Sequence, residues 1–270
     1  MKPQALLQTA CLAACLLVSC VSNTEGALVE FDAAAVGDEA SRHFVSPLGY
    51  EVRLEAAYLW VGAVYLNQSA PGNYTQETSC VLPGIYSAEV RGGLRVDALS
   101  AKRQAFPVRG KGTTDTSRAG ELWLSSGDID APNDSTVLLE VRGEAAKEGK
   151  RWPFEAQLTI GQNRAQPPSN PALPGANPLC RQRIITPIPV ELSLKSQGLL
   201  LLKVKPSAWF EKVDFSKLSE EGAPPFRFQD MAAGQPDNAL YSGMRANVGP
   251  YHFSFEENSH LATQVLEEVQ

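Results

Sequence analysis

Three histidines are all the chain has: His43, His252 and His260. No two are spaced i,i+4, and no HExxH is present, so a helical zinc-protease site is excluded. No CxxC pair and no GxSxG elbow occur, which removes the usual zinc-ribbon and serine-hydrolase signatures. Basic residues are outnumbered: 24 Lys and Arg against 30 Asp and Glu, a formal net charge of −6. Nucleic-acid binding depends on basic neutralisation of phosphates, so this balance argues against such a partner. It also offers no polybasic attraction to anionic lipid. No apolar run approaches the ~20 residues that a membrane-spanning helix needs.

A short apolar stretch stands at the N-terminus, MKPQALLQTACLAACLLVSC. Lys2 gives a short positive region, and Ala5 to Val18 follows without a charge. That is the length of a secretion-signal core and too short to span a bilayer. It closes on Leu17-Val18-Ser19-Cys20. This tetrad resembles the lipobox of bacterial lipoproteins. The resemblance implies cleavage between Ser19 and Cys20, diacylglycerol on the Cys20 sulfur and an acyl chain such as palmitate on its new amine. A plain secretory signal with an incidental cysteine is the alternative, because Cys11 and Cys15 lie in the same core. Two or more hydrophobic chains suffice for stable anchoring where one does not. Val21 follows the cysteine rather than Asp. By resemblance, the outer membrane is then the expected location, with the protein held in the cell envelope by lipid.

On that reading, cleavage removes Cys11 and Cys15 and acylation occupies Cys20. Cys80 and Cys180 remain as an even pair in an oxidising compartment, and a disulfide between them is expected. Two separate buried thiols are the alternative. The expected organisation is a signal peptide over 1–19, a tether over 20–27, one β domain over 28–256 and a helical tail over 257–270.

Period-two alternation dominates the body. Val52 and Leu54 alternate with Arg53 and Glu55, and YLWVGAVYL (Tyr58–Leu66) reads as a central strand covered on both faces. Tyr86–Val90 and Leu94–Val96 flank Gly92-Gly93 and suggest a hairpin. Val137–Arg142 and Trp152–Ile160 suggest a second, turning over Ala145–Lys150. Ile188–Leu194 and Leu200–Val204 suggest a third, turning at Ser196-Gln197-Gly198. Trp209, Phe210, Val213, Phe215 and Leu218 form an apolar group without a clear period. Asp237 reads as an N-cap before Leu240, Tyr241 and Met244 on one helix face. The proline-rich 164–178 stretch reads as a loop. The sum is an all-β fold, an antiparallel β-sandwich with a few short helices near the C-terminus, or a barrel as the alternative. LGYEVRLEAAYLWVGAVYL and GPYHFSF also loosely resemble phrases in lipid-anchored β proteins of unassigned function; no functional residue follows from that.

Chemistry-bearing clusters are few. His43 and His252 are the only metal candidates, and they would bind zinc or copper if they met in space with a carboxylate. DIDAPNDS (Asp128, Asp130, Asn133, Asp134) lacks the glycine and distal Glu of an EF-hand and reads as a polar turn. RGKGTTDT (Arg109–Thr116) lacks the P-loop spacing and reads as a flexible loop. Tyr58, Trp60, Trp123, Trp152 and Phe154 read as core. The expectation is a non-enzymatic, lipid-anchored binding or accessory module for an envelope protein partner or ligand, without a cofactor or catalytic residue. The alternatives are a metal- or small-ligand-binding lipoprotein using His43 and His252, and an exported hydrolase.

Overall fold

Period-two patterning becomes strand almost wherever it occurs. The computed structural model describes residues 26–69, 85–124, 137–159, 184–220, 223–228, 236–245 and 248–257. These hold β1 (Leu28–Val36), β2 (His43–Val45), β3 (Glu51–Asn67), β4 (Tyr86–Val90), β5 (Leu94–Asp97), β6 (Gln104–Ala105) and β7 (Gly110–Thr113). They continue with β8 (Thr116–Leu124), β9 (Val137–Lys147), β10 (Lys150–Thr159), β11 (Ile184–Ser193), β12 (Leu199–Val204), β13 (Phe226–Arg227) and β14 (Tyr251–Glu256). The α-helix among the described residues is α1 (Pro236–Arg245); short 3-10 turns cover Glu39–Arg42, Pro206–Phe210 and Phe215–Glu220. No helix among the described residues is long and apolar enough to cross a membrane.

The strands form one mixed, fourteen-stranded sheet that is not closed into a barrel, an all-β, sandwich-like arrangement. β3 is its spine. One edge pairs with β9 and then β8; the other pairs in line with β2, β5 and β4. From β4 the sheet continues through β7, β1 and β12 to β14. That end turns back over the spine, so that Phe253 of β14 lies on Gly120 of β8 beside Leu66. Most pairs are antiparallel, but β1 with β12 and β10 with β13 are parallel.

Two register shifts decide what β3 presents. Against β9 the register slips between Leu54 and Ala56, and against β8 between Val61 and Ala63. Each slip exchanges the faces of the residues beyond it. Val52 and Leu54, then Ala57, Leu59 and Val61, then Val64 and Leu66 therefore all enter the core. Tyr58, Trp60, Tyr65 and Asn67 take the opposite face. The run that is apolar on both sides is thus a two-faced strand whose aromatic side is only partly covered.

Three expected hairpins resolve differently. β9 and β10 form one, with a tighter turn than expected: Glu148 and Gly149 both take positive φ (53° and 77°), the geometry of a two-residue hairpin turn. β4 and β5 do not pair with each other. β3 is long enough to hold both along one edge, so Gly92-Gly93 is a step between collinear strands. β11 and β12 also part at the 196–198 turn. β11 joins β8, while β12 joins β1 and β14. Pro187 and Pro189 lack amide donors, and the β11–β8 register breaks on either side of Ile188-Pro189.

The core is continuous, with Phe31, Leu59, Phe154, Trp209, Phe210 and Phe215 fully enclosed. Each such side chain contributes about 1.5–3 kcal/mol by burial. The apolar group of uncertain period supplies the two later 3-10 turns. Their Phe210 and Phe215 stack at 5.9 Å and meet Phe154 at 5.8 and 5.1 Å. Leu240, Tyr241 and Met244 of α1 are buried as the helix pattern requires; Asp237 falls inside the helix rather than before it.

Candidate binding site

The outer face of β3 carries two aromatic–carboxylate groups in succession. In the first, Tyr58 faces Glu140 of β9 and Trp60 faces Arg95 of β5 across the ladders. The Arg95 guanidinium lies 3.4 Å from the Tyr58 ring centroid and 4.8 Å from that of Trp60, and it reaches Glu140 at 3.2 Å. A cation is thus held between two rings and an acid.

The second group lies further along the strand, where Tyr65 faces Glu121 of β8 and Asn67 faces Tyr86 of β4. Glu121 and Trp123 share a face because they alternate with the core residues Leu122 and Leu124. Tyr65 is central, with its centroid 5.2 Å from Tyr86 and 5.4 Å from Trp123. Glu121 is fully buried beside these rings. It accepts the Asn67 side-chain amide at 2.7 Å and the Trp123 indole N–H at 3.2 Å. The Asn67 Oδ1 atom is buried and has no hydrogen-bond partner. Buried polar atoms of that kind are rare and call for an explanation.

Burial raises the pKa of Glu121 above the ordinary carboxylate value; the bonds from Trp123 and Asn67 offset only part of this. Burial, then the Glu121 charge and Tyr65, push the Tyr86 phenol up to about 12. Burial also raises Tyr65, against the lowering effect of nearby Arg91.

Tyr86 also lines a cleft of about 770 Å³ between the start of β1, β4, β7 and the 196–197 turn. Leu28, 88% exposed, and Tyr86, 42% exposed, form its apolar rim; Glu30, Glu89, Arg109 and Lys111 supply charge. Arg109 is engaged by Glu30 at 3.5 Å and Asp32 at 3.1 Å. The cleft therefore adjoins the ring cluster through Tyr86.

Among the residues singled out in the sequence, Ser19, Cys20, Cys80, Cys180, His260, the DIDAPNDS turn and the 164–178 loop lie outside the described residues. His43 sits exposed on β2 opposite Arg53, and His252 sits exposed on β14 opposite Lys203. His252 lines a second cleft, of about 640 Å³, with Glu191 and Glu257 between β11 and β14. Among the described residues no group of three or more His, Cys, Asp or Glu side chains is placed to hold a metal. The RGKGTTDT segment is not a loop: Gly110–Thr113 is β7, and Gly110 leaves room for the Phe31 ring directly above it. Trp152 and Phe154 are core as expected, whereas Tyr58, Trp60 and Trp123 stand half-buried on the outer face. Glu121 and Asn67 escaped the sequence reading. Their signal was the alternation in ELWL and in the last residues of YLWVGAVYLN.

No protein-family model matches the chain, and no curated protein and no solved structure shows significant similarity to it.

Proposed function

We propose that this protein is a lipid-anchored envelope binding module. It is fixed to the outer membrane through Cys20 and takes its ligand or partner at the cleft beside Tyr86. The lipobox and Val21 support the anchor. The observation that carries the binding reading is the 770 Å³ cleft with a rim formed by Leu28, close in sequence to the lipidated cysteine. Val21 to Ala27 spans at most about 25 Å when extended, so the cleft stays near the membrane surface. A concave, partly apolar site with a few polar groups is the usual form of a ligand site. The groups gathered at this end hold and orient; the reading assigns no residue to a reaction.

Fractionation of the native host tests this. The wild-type chain should remain with alkaline-washed membranes, and a photo-crosslinker at Leu28 should mark a single stoichiometric neighbour. A mature chain in the soluble fraction, or no neighbour at Leu28, would overturn it.

A further inference from the structure

We infer that the Tyr65–Tyr86–Trp123 cluster with Glu121 and Asn67 is a recognition site for an organic cation bearing N–H donors, a guanidinium or primary ammonium. This rests on the binding reading above and names the ligand class for it.

Three observations carry the assignment. First, the same strand face already binds such a group within the chain: Arg95 lies over Tyr58 and Trp60 against Glu140. The second cluster repeats these elements, rings around an acid, and among the described residues no cationic side chain stacks on its rings. Arg91 lies close enough to influence Tyr65 electrostatically without doing so. Second, the buried polar atom left without a partner there is an acceptor. Asn67 Oδ1 has no partner, and Asn67 is held in that orientation because its amide nitrogen donates to Glu121. Each Glu121 oxygen takes one donor and keeps a further lone pair. A ligand that completes this set must bring donors, and one that neutralises a buried carboxylate must bring positive charge. Third, ring faces attract cations, more strongly where water is excluded, and the buried carboxylate adds to that field.

The rings close over Glu121, so a ligand would reach it by displacing one of them. Tyr86 is that ring. It is the least buried of the three, it faces Asn67 across the ladder, and it lines the cleft. A cation arriving through the cleft would pass Glu89 and Glu30 and lift Tyr86. Its N–H groups would then face Asn67 Oδ1 and Glu121, with its charge against Tyr65 and Trp123. The overall negative charge of the chain favours such a ligand.

The test uses the full mature protein in detergent, titrated by calorimetry with acetyl-arginine-amide and with its neutral isostere acetyl-citrulline-amide. Trp fluorescence serves as a second readout. The arginine compound should bind at about millimolar Kd, typical of so small a ligand, and the citrulline compound at least tenfold more weakly. Glu121→Gln should abolish that discrimination. Tyr86→Ala, at a partly exposed position that leaves the core intact, should change arginine affinity at least threefold. Equal affinity for the two compounds, no binding of either, or unchanged discrimination in a folded Glu121→Gln protein would overturn the inference. Failure here leaves the anchor and cleft reading standing. Arginine binding by a chain that proves unlipidated would sink the anchor and keep this site.

Discussion

The Glu121 carboxylate accepts the Asn67 amide at 2.7 Å, and both residues are fully buried on the face of the sheet opposite the Leu122 and Leu124 side chains. Removing the acid with Glu121→Ala leaves the Asn67 amide and the Trp123 indole without an acceptor. The expected cost is about 1–3 kcal/mol, read from urea unfolding. Glu121→Gln behaves differently. The folded-state pKa of Glu121 lies above its ordinary value of 4.5, so only in the pH window between the two values does the folded chain hold a proton that the unfolded chain has already released. The contribution of this residue to stability therefore falls as pH rises through the window that opens near 4.5. Unfolding at pH 4.5 and 7.5 should show the Gln variant gaining on the wild type as pH rises. A pH-independent difference would contradict the assignment.

At Gly143 of β9 the neighbouring backbone of β3 leaves no room for a side chain. A Cβ placed there would collide with the Arg53 carbonyl of β3, next to the register slip at Leu54–Ala56. The obstacle is backbone and cannot rotate away. Gly143→Ala should lower stability by about 3 kcal/mol, whereas Gly→Ala changes on a freely accessible turn are governed by φ alone. A Gly143→Ala protein within 0.5 kcal/mol of wild type, roughly the noise of a surface substitution, would count against the β3–β9 register.

Asp214 is pulled in two directions. Burial alone would push its carboxyl up, but hydrogen bonds from the Tyr50 hydroxyl at 2.5 Å and the Ser216 hydroxyl at 2.7 Å overcome it. The net position lies below the ordinary carboxylate value. The stabilisation is present above the ordinary pKa of 3.8 and is lost as pH falls through the lower, folded value. Tyr50→Phe should cost about 1 kcal/mol near neutral pH. It should also shift the Asp214 titration upward by NMR. An unmoved titration would show that the Tyr50 bond does not set it.

A Cys80–Cys180 bridge would close a loop of about 100 residues, worth up to ~4.7 kcal/mol in the chain-entropy model. Urea midpoints with and without reductant should differ accordingly, and the double Cys→Ser variant should match the reduced wild type. Identical midpoints would mean two separate thiols.

Strand content was readable because β10 and β14 alternate cleanly, and side chains on a half-buried sheet have to. Partner choice was not. Gly92-Gly93 has the local chemistry of a hairpin, but only the length of β3 determines that β4 and β5 lie end to end. The glycines of β7 suggest mobility in sequence; in three dimensions Gly110 makes room for Phe31. The aromatic outer face was hidden for a related reason. Tyr58, Trp60 and Tyr65 have the composition of a core, and which face they occupy depends on two register slips that leave no local mark. Glu121 sits in an otherwise apolar run. Its importance appears only when Tyr65, Asn67 and Trp123 are brought around it.

A lipid anchor at Cys20 is decided most directly by the state of the N-terminus. Intact mass of the protein taken from its native membrane, before and after reduction, addresses it in one experiment. The expected result is a chain beginning at Cys20, heavier by diacylglycerol and an acyl chain, and gaining two hydrogens on reduction as a Cys80–Cys180 bridge opens. A chain without added lipid would contradict the anchored-module reading, and the cleft beside Leu28 would then belong to a freely exported protein.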